Sequence, residues 1–317
     1  MASALSSPAE QNVQPPVRFS FELPTHRAHR PQEFVTGEAI AELTRAAAAA
    51  GFDAVNVTDH PAPDARWLDN GGHHALDPFV ALSFAAAADP GLRLLTNIYV
   101  PAYRNPLLGA KLVHSLDLLA GGRLILGVAA GYLRPEFRAL GIDFDRRGEI
   151  LDEALAVLDA VFTGDDLAWQ GSDFSARGVR FRPVPPSGRR PPVWVGGNSR
   201  PAIRRAARFD GWAPFHTGGF AAASRTATIE SVDDLAAAIR YVHSQRAGAT
   251  GPFDICWSEP TLANRATSVD ERLDRITALA TAGVSWLTVS VPGDTRAEVL
   301  DGVAAFGTEI IARTVAA

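Results

Sequence analysis

Short β-branched or aromatic runs alternate along this chain with alanine- and leucine-rich stretches of helical period. Short continuous apolar runs are typical of strands that are buried on both faces, and apolar positions three and four residues apart are typical of the helices that cover them. The runs that predict strands cover residues 18–23, 53–59, 92–100, 123–129, 192–197, 211–215, 253–259 and 284–291. The pattern therefore predicts parallel strands that are joined by helices.

The segments between these strands have the period of amphipathic helices. Helices are predicted over about 37–50, 78–88, 105–120, 147–162, 199–209, 232–246, 269–282 and 295–312. The apolar stripe of the third helix is Leu108, Leu112, Leu116 and Leu119. From residue 163 to residue 192 the periodicity fails among glycine, proline and arginine, which predicts an irregular insertion before the fifth strand, with a small hairpin around 178–181.

Eight strands that alternate with eight helices predict an α/β protein built as a closed (β/α)8, or TIM, barrel. An open doubly wound sheet is the alternative, and it normally carries G-x-G-x-x-G between its first strand and helix. Residues 24–31 occupy that position here and contain no glycine. The 317 residues suit one barrel domain over 17–317, preceded by a disordered leader over 1–16.

Composition and charge exclude several classes of partner. The net charge of −5 leaves no basic signal of the kind that nucleic-acid binding requires. No apolar stretch approaches the length of a membrane span. Cys256 is the only cysteine, so one chain can form neither an internal disulfide nor a thiolate metal site, and a reducing cytoplasm is the expected location.

The active site of a β/α barrel lies where loops leave the C-terminal ends of the strands. The second strand ends at Asp59 and His60, an acid beside the side chain best suited to proton exchange near neutral pH; a satisfied capping pair is the alternative. The fourth strand runs into Ala130, Gly131 and Tyr132. Small residues there allow a flat ring to approach the backbone, with an aromatic side chain to cover it, although tight packing at the rim explains them as well.

The fifth strand ends in Gly196 and Gly197, and Asn198 and Ser199 follow at the start of a helix. Bare backbone N–H groups at such a position bind anions, so this segment predicts a phosphate site, with a plain cap and turn as the alternative. Histidine pairs at positions 26 and 29 and at positions 73 and 74 raise metal-assisted hydrolysis as a weaker alternative. Their spacing is more typical of solvated loop histidines, and no metal site is predicted.

Four stretches of the chain carry a resemblance to a known family. They are DAVNVTDH at 53–60, YRNPLLGAKLVHSLDLLAGGRLILGVAAGY at 103–132, RRGEILDEALAVL at 146–158 and RFRPVPPSGRRPPVWVGGNSRPAIRRAARFDGW at 180–212. In this order they resemble the bacterial luciferase-like monooxygenase family, and within it the branch that uses coenzyme F420.

The resemblance implies a cofactor ring across the mouths of the strands, with its phosphate on the loop after strand five. It implies a non-proline cis peptide between Asn97 and Ile98, in a bulge of strand three, that supports the ring. It also places Asp59 and His60 beside the reactive centre and the 130–132 segment against the ring.

Two residues depart from the family's usual strand-four pattern, which is closer to G-V-G-x-G followed by Trp or Glu. Ala129 stands at a glycine position, and Tyr132 stands where the sugar-phosphate dehydrogenase branch has a glutamate. The departure argues against a sugar phosphate as the substrate.

The resemblance implies hydride transfer between C5 of coenzyme F420 and a small organic substrate, with His60 exchanging the proton and Asp59 orienting His60 or contacting the cofactor. Alanine-rich helices and a single lysine, Lys111, suggest a GC-rich genome, which favours the deazaflavin. The alternatives are an FMN-dependent monooxygenase that uses O2 and reduced flavin from a partner reductase, and a non-catalytic flavin-binding barrel. Loops 61–77, 163–192 and 215–231 are expected to choose the substrate, and a homodimer is the candidate assembly.

Overall fold

A computed structural model of the protein describes residues 17–185, 187–217 and 226–314, so the leader predicted over 1–16 lies outside the described residues. The strands of the main sheet are β1 (Arg18–Glu22), β2 (Ala54–Val57), β3 (Arg93–Thr96), β4 (Leu124–Val128), β7 (Val193–Gly196), β8 (Gly211–Ala213), β9 (Asp254–Ser258) and β10 (Trp286–Val289). They pair in parallel in the order β1-β10-β9-β8-β7-β4-β3-β2, and the sheet closes on itself. The described residues therefore confirm the predicted (β/α)8 barrel.

The eight predicted helices are observed close to the predicted positions, and the short helices at 31–34, 65–69 and 134–139 were not predicted. The observed helices are α1 (Pro31–Phe34), α2 (Gly37–Ala49), α3 (Ala65–Asp69), α4 (Pro78–Ala88), α5 (Pro106–Leu119), α6 (Arg134–Ala139), α7 (Arg147–Phe162), α8 (Arg200–Ala206), α9 (Val232–Gln245), α10 (Val269–Ala282), α11 (Arg296–Phe306) and α12 (Ala312–Thr314). A π-helical turn, Gly307–Ile311, follows α11. No helix of the described residues has the length and apolar character that crossing a membrane takes.

The apolar stripe predicted for the third helix is only partly buried. Leu116 is 2% exposed, whereas Leu108 is 55% and Leu119 is 76% exposed. Val80 and Phe84 on the adjacent helix α4 are also exposed. Helical spacing alone does not identify which apolar positions face the barrel, because the stripe is wider than the contact.

The predicted insertion contains a hairpin, but its turn lies elsewhere. Strands β5 (Leu167–Gln170) and β6 (Ser175–Val179) pair antiparallel, so the chain reverses at residues 171–174 and not around 178–181. The backbone N–H of Gly171 donates to the carbonyl of Phe174 across this turn at 2.9 Å. Gly178 has φ +64° and lies inside β6, so it accommodates an irregular strand and not the reversal that its residue type suggested.

Side chains fill the inside of the barrel below its mouth. Trp194 and Trp286 contact each other edge to face, with ring centroids 5.3 Å apart. The other members of this interior cluster are Ala54, Leu95, Ile125, Ala213 and Cys256, and Ile98 packs against it. The barrel is therefore a packed core, and the cavity at its C-terminal mouth lies above this cluster.

A buried ion pair joins the end of β9 to helix α10. Glu259 is 4% exposed, and its carboxylate accepts hydrogen bonds from Arg275 at 2.7 and 2.9 Å and from the Thr261 hydroxyl at 2.7 Å. Burial raises the pKa of Glu259, but the Thr261 and Arg275 donors outweigh it and bring the pKa below the ordinary 4.5. The contribution of the ionised Glu259 carboxylate to the free energy of unfolding is therefore complete above the unfolded-state pKa of Glu259, and it is lost as the pH falls through its folded-state pKa.

We expect Glu259→Gln to lower the free energy of unfolding by about 2 kcal/mol at neutral pH, because charge-assisted hydrogen bonds are lost. The difference from the wild type should shrink as the pH falls below about 4.5, where the Glu259 carboxylate of the unfolded wild type begins to take up a proton while that of the folded protein stays ionised. Urea unfolding at pH 7 and at pH 3.5 measures both values. Glu38→Gln, on the exposed start of α2, is the matched control. A Glu259→Gln difference that does not change with pH contradicts the prediction.

Candidate active site

A cavity of about 710 Å³ opens at the C-terminal mouth of the barrel. Its walls come from the ends of β2, β3, β4 and β7, with contributions from β8, β9 and β10. This volume is typical of small-molecule sites. Ten of the eleven predicted site residues line it: Asp59, His60, Asn97, Ile98, Ala130, Gly131, Tyr132, Gly196, Gly197 and Ser199. The four strand ends that were predicted to converge therefore meet in one cleft.

The chain after β3 bulges at the floor of this cavity. The Asn97–Ile98 peptide bond is cis, as predicted. Leu95 pairs with Ile125 and Tyr99 with Val128, so this side carries one residue more than the β4 side between the two pairs. One extra residue is the signature of a β-bulge, which redirects the side chains that follow it.

Glycines bring the walls of the cleft close to this bulge. A Cβ atom at Gly196 would clash with Cδ1 of Ile98, so Ile98 extends across the floor to the β7 backbone. Gly131 has φ +82°, and a Cβ atom there would meet the Phe137 ring at 2.8 Å. Both glycines therefore allow a close approach of backbone and side chains that other residues would prevent.

Asp59 is almost fully buried, and its carboxylate is bound by neighbouring donors. Arg104 reaches both of its oxygens, Nη1 to Oδ2 at 2.8 Å and Nη2 to Oδ1 at 3.0 Å, and the Val100 N–H donates to Oδ2 at 3.1 Å. Burial raises the pKa of Asp59, and the Arg104 and Val100 donors offset part of that rise. Arg104 also contacts Asp77, the N-cap of α4, at 2.7 Å. Asp59 thus links the loop after β2 to the segment after β3 through hydrogen bonds. The predicted contact of Asp59 with His60 or with a cofactor stays a prediction.

His60 is 7% exposed and has a different partner at each ring nitrogen. Its Nδ1 lies 3.1 Å from Oε2 of Glu136, and its Nε2 lies 3.5 Å from the Tyr132 hydroxyl. The rings of Trp67 and His73 pack against it, with centroids 4.5 and 5.0 Å away. The imidazole is therefore held on one side by a carboxylate and faces the cavity beside Tyr132.

Glu136, on the short helix α6, completes the site and was not anticipated from the sequence. Its side chain is fully buried and accepts hydrogen bonds from His60, from the Tyr103 hydroxyl at 2.8 Å and from the Ala62 N–H at 2.9 Å. Burial raises the pKa of Glu136, but these three donors outweigh it and lower the pKa below 4.5. An acidic residue in the first turn of a helix ordinarily indicates a favourable surface charge, so the sequence holds no signal that this carboxylate points inward.

The loop after β7 is held by its own side chains. Asn198 is 1% exposed and does not line the cavity; its side-chain amide donates to the carbonyl of Phe215 at 2.8 Å and accepts from the Phe215 N–H at 3.1 Å. The Ser199 hydroxyl caps α8 by accepting from the Ala202 N–H at 3.3 Å. Gly197, with φ +110°, accepts from the Trp212 indole at 2.9 Å. Asn198 therefore shapes the loop, and the phosphate role of this segment remains a prediction.

The four loop histidines line a second cavity of about 430 Å³ on the surface. They are His26, His29, His73 and His74. The described residues contain no group of three or more His, Cys, Asp or Glu side chains placed to hold a metal ion. His73 also lines the main cavity, so the loop after β2 contributes to both. Part of the 215–231 loop, at 218–225, lies outside the described residues.

A closed β/α barrel with its cavity at the C-terminal mouth belongs to a class that carries many different enzymes, so the family must come from comparison. Residues 17–300 match the model of the luciferase-like monooxygenase family, and the chain belongs to that family. This confirms the resemblance found in the sequence.

Three relatives show the range of the family. An uncharacterized protein of Mycobacterium tuberculosis is 29% identical over 225 residues, which is 67% of this chain and 74% of that protein. An F420-dependent glucose-6-phosphate dehydrogenase of Gordonia bronchialis is 31% identical over 178 residues, 53% of this chain and 50% of the relative. An FMNH2-dependent dimethylsulfone monooxygenase of Pseudomonas putida is 28% identical over 155 residues, 48% and 42% of the two chains. The family thus includes both F420-dependent and FMN-dependent members.

Two solved structures share the fold. An F420-dependent secondary alcohol dehydrogenase in complex with an F420–acetone adduct has a TM-score of 0.72 at 16% identity, over 94% of this chain and 99% of that chain. The oxygenating constituent of 3,6-diketocamphane monooxygenase of Pseudomonas putida, in complex with FMN, has a TM-score of 0.72 at 14% identity, over 93% and 97% of the two chains. These likenesses establish the barrel and leave the cofactor open.

Proposed function

We propose that this protein is a coenzyme F420-dependent oxidoreductase that transfers a hydride to or from a small organic substrate, with His60 exchanging the proton. The observation that carries the proposal is the cleft itself, where an imidazole with a carboxylate at Nδ1 faces a cavity that has one wall of small residues and a bulge at its floor. The F420-dependent glucose-6-phosphate dehydrogenase is 31% identical to this chain, and the FMNH2-dependent dimethylsulfone monooxygenase is 28% identical. The higher identity of the first favours F420. The second supports the alternative, FMN-dependent oxygenation.

The residues of the cleft fit a flat, partly polar ring with an anionic tail. One wall consists of Ala129, Ala130 and Gly131, which carry a methyl group or no side chain and so leave the backbone accessible. Gly197 and Ser199, on the loop after the adjacent strand β7, also line the cavity, and a phosphate is predicted there. These two regions of one cavity suit the ring and the tail of the same molecule.

A bound deazaflavin supplies the hydride carrier, which the side chains of the protein cannot provide. Oxidation of an alcohol-like substrate removes one hydride and one proton, so a base must accept the proton, and reduction reverses both steps. Both His60 and His73 line the cavity, and His60 is the one with a buried carboxylate at Nδ1; its Nε2 is the nitrogen on the Tyr132 side. We therefore assign to Nε2 of His60 the proton exchange with the substrate, and to Ile98 and the 129–131 wall the positioning of the ring.

Fluorescence titration of the purified protein tests the cofactor. We expect coenzyme F420 to bind at least about 10-fold more tightly than FMN, a difference of about 1.4 kcal/mol. Ala130→Phe places a ring inside the cleft and should weaken F420 binding by a similar factor or more. The matched control is Ala297→Phe, on the exposed side of α11, which should leave binding unchanged.

Absorbance of the added reduced cofactor then distinguishes the functions. Loss of reduced F420 with a carbonyl acceptor present, and not with O2 alone, supports the proposal. Tighter binding of FMN together with O2-dependent oxidation of its reduced form supports the monooxygenase, which would need a partner reductase. Binding without turnover of any acceptor supports a non-catalytic barrel.

We also propose that the protein forms a homodimer through helices α4 and α5. The exposed apolar side chains on these adjacent helices support this assembly: Val80, Phe84, Leu108 and Leu119. Apolar side chains exposed on two adjacent helices favour contact with another apolar surface, and a second copy presents a matching one.

A further inference from the structure

The buried hydrogen bonds around Glu136 determine which ring nitrogen of His60 is free to accept a proton. An ionised carboxylate has only acceptor sites, and the Tyr103 hydroxyl and the Ala62 N–H can only donate to it in this arrangement. The His60 Nδ1 that lies 3.1 Å from Oε2 of Glu136 must therefore carry a hydrogen. In the neutral imidazole, the lone pair then resides on Nε2.

We propose that Glu136 is a positioning residue that holds His60 as the Nδ1–H tautomer, keeps Nε2 directed to the cavity and stabilises the imidazolium formed when Nε2 takes up a proton. The inference rests on the proposed function in assigning proton exchange to His60. It adds Glu136 as the group that leaves Nε2 of His60 able to take up the proton. The same logic applies wherever a carboxylate orients a catalytic imidazole.

The surroundings of the pair support an orienting role. Glu136 has no exposed surface, so its charge is not screened by water and acts mainly on the donors that contact it. Two of these donors, Ala62 and Tyr103, lie on separate segments and fix the carboxylate in position. Trp67 packs on the imidazole and restricts its rotation. The ring is thus held by packing and by the hydrogen bond at Nδ1, and Nε2 has the longer contact with the Tyr132 hydroxyl.

Nuclear magnetic resonance of the histidine-labelled full chain reads the tautomer directly, without any substrate. The His60 signals are assigned by comparison with His60→Gln. At slightly alkaline pH, we expect the long-range proton–nitrogen correlations of His60 in the wild type to show Nδ1 protonated and Nε2 unprotonated. The Nε2–H tautomer in the wild type overturns the proposal, and this measurement does not depend on how any Glu136 variant folds.

Glu136→Gln keeps the shape of the side chain and removes its charge, and Glu259→Gln is the matched control. Glu259→Gln also neutralises a buried carboxylate, but the hydrogen-bond partners of Glu259 include Thr261 and Arg275, and it does not line the cavity. We expect Glu136→Gln to change the His60 nitrogen shifts, to lower kcat about 10- to 100-fold, to leave KM and the F420 dissociation constant within about 3-fold, and to shift the pH profile of kcat. Glu259→Gln should leave the His60 nitrogen shifts and the pH profile unchanged.

The outcomes separate this inference from the proposed function. A Glu136→Gln protein with wild-type nitrogen shifts, kcat and pH profile overturns the inference, as does an equal change in both variants, which indicates a merely structural carboxylate. If the nitrogen shifts change as expected but the wild type neither binds F420 nor turns over any acceptor, the proposed function fails and the orientation of His60 by Glu136 stands.

Discussion

Replacing Arg104 by methionine is expected to lower the free energy of unfolding by about 3 to 5 kcal/mol, because it leaves the Asp59 charge buried without its partner. Asp59 is 2% exposed, and Arg104 contacts both of its carboxylate oxygens. Methionine keeps much of the length of the side chain and removes the guanidinium. Urea unfolding at neutral pH measures the loss.

Two further variants define the origin of this effect. Adding Asp59→Asn to the Arg104→Met chain should recover part of the loss, since no buried charge is then unpaired. Arg180→Met is the matched control, because Arg180 and its partner Asp166 are 55% and 52% exposed and such pairs contribute less than about 1 kcal/mol. An Arg104→Met loss no larger than that of the control rules out Asp59 as a buried anchor.

His60→Gln is expected to lower kcat by about 100- to 10,000-fold with the acceptor found by the absorbance assay, because proton exchange by a positioned side chain contributes on that order. Glutamine retains a hydrogen-bond donor near Glu136 but cannot carry a proton between solvent and substrate. Coenzyme F420 should still bind within about 3-fold of the wild type, which separates a chemical defect from a binding defect.

The neighbouring His74 provides the control for His60. It lies on the same loop after β2 and is exposed, so His74→Gln should leave both kcat and the F420 dissociation constant unchanged. If His60→Gln retains the kcat of the wild type, His60 is not the proton-exchange group, and Tyr132 becomes the next side chain to replace at this wall of the cavity.

The positions of the predicted strands show how much of the fold can be predicted from local pattern. The strand predicted over 284–291 contains the observed Trp286–Val289, and the helix predicted over 78–88 is observed as Pro78–Ala88. Strands buried on both faces need continuous apolar runs, and this requirement is visible without knowledge of the neighbours. The hairpin of the insertion was placed wrongly because Gly178 serves as readily within an irregular strand as in a turn.

The cleft was predictable in outline, because a barrel gathers its strand ends at one mouth. Asp59, His60, Gly131 and Gly196 were all expected there, and they line one cavity. The partners of these residues were not predictable. Arg104 follows β3 and Glu136 is on α6, and neither has a local pattern that reveals which carboxylate or imidazole it contacts.

The amino-acid sequence by itself determined the barrel, the order of its strands and the short segments that form the mouth, because these depend on apolar periodicity and on residues adjacent along the chain. Only the tertiary structure decided that Asp59 pairs with Arg104, that Asn198 supports a loop instead of lining the cavity, and that Glu136 reaches His60. His60 and Glu136 are 76 residues apart, and contacts between such distant residues depend on how whole elements pack.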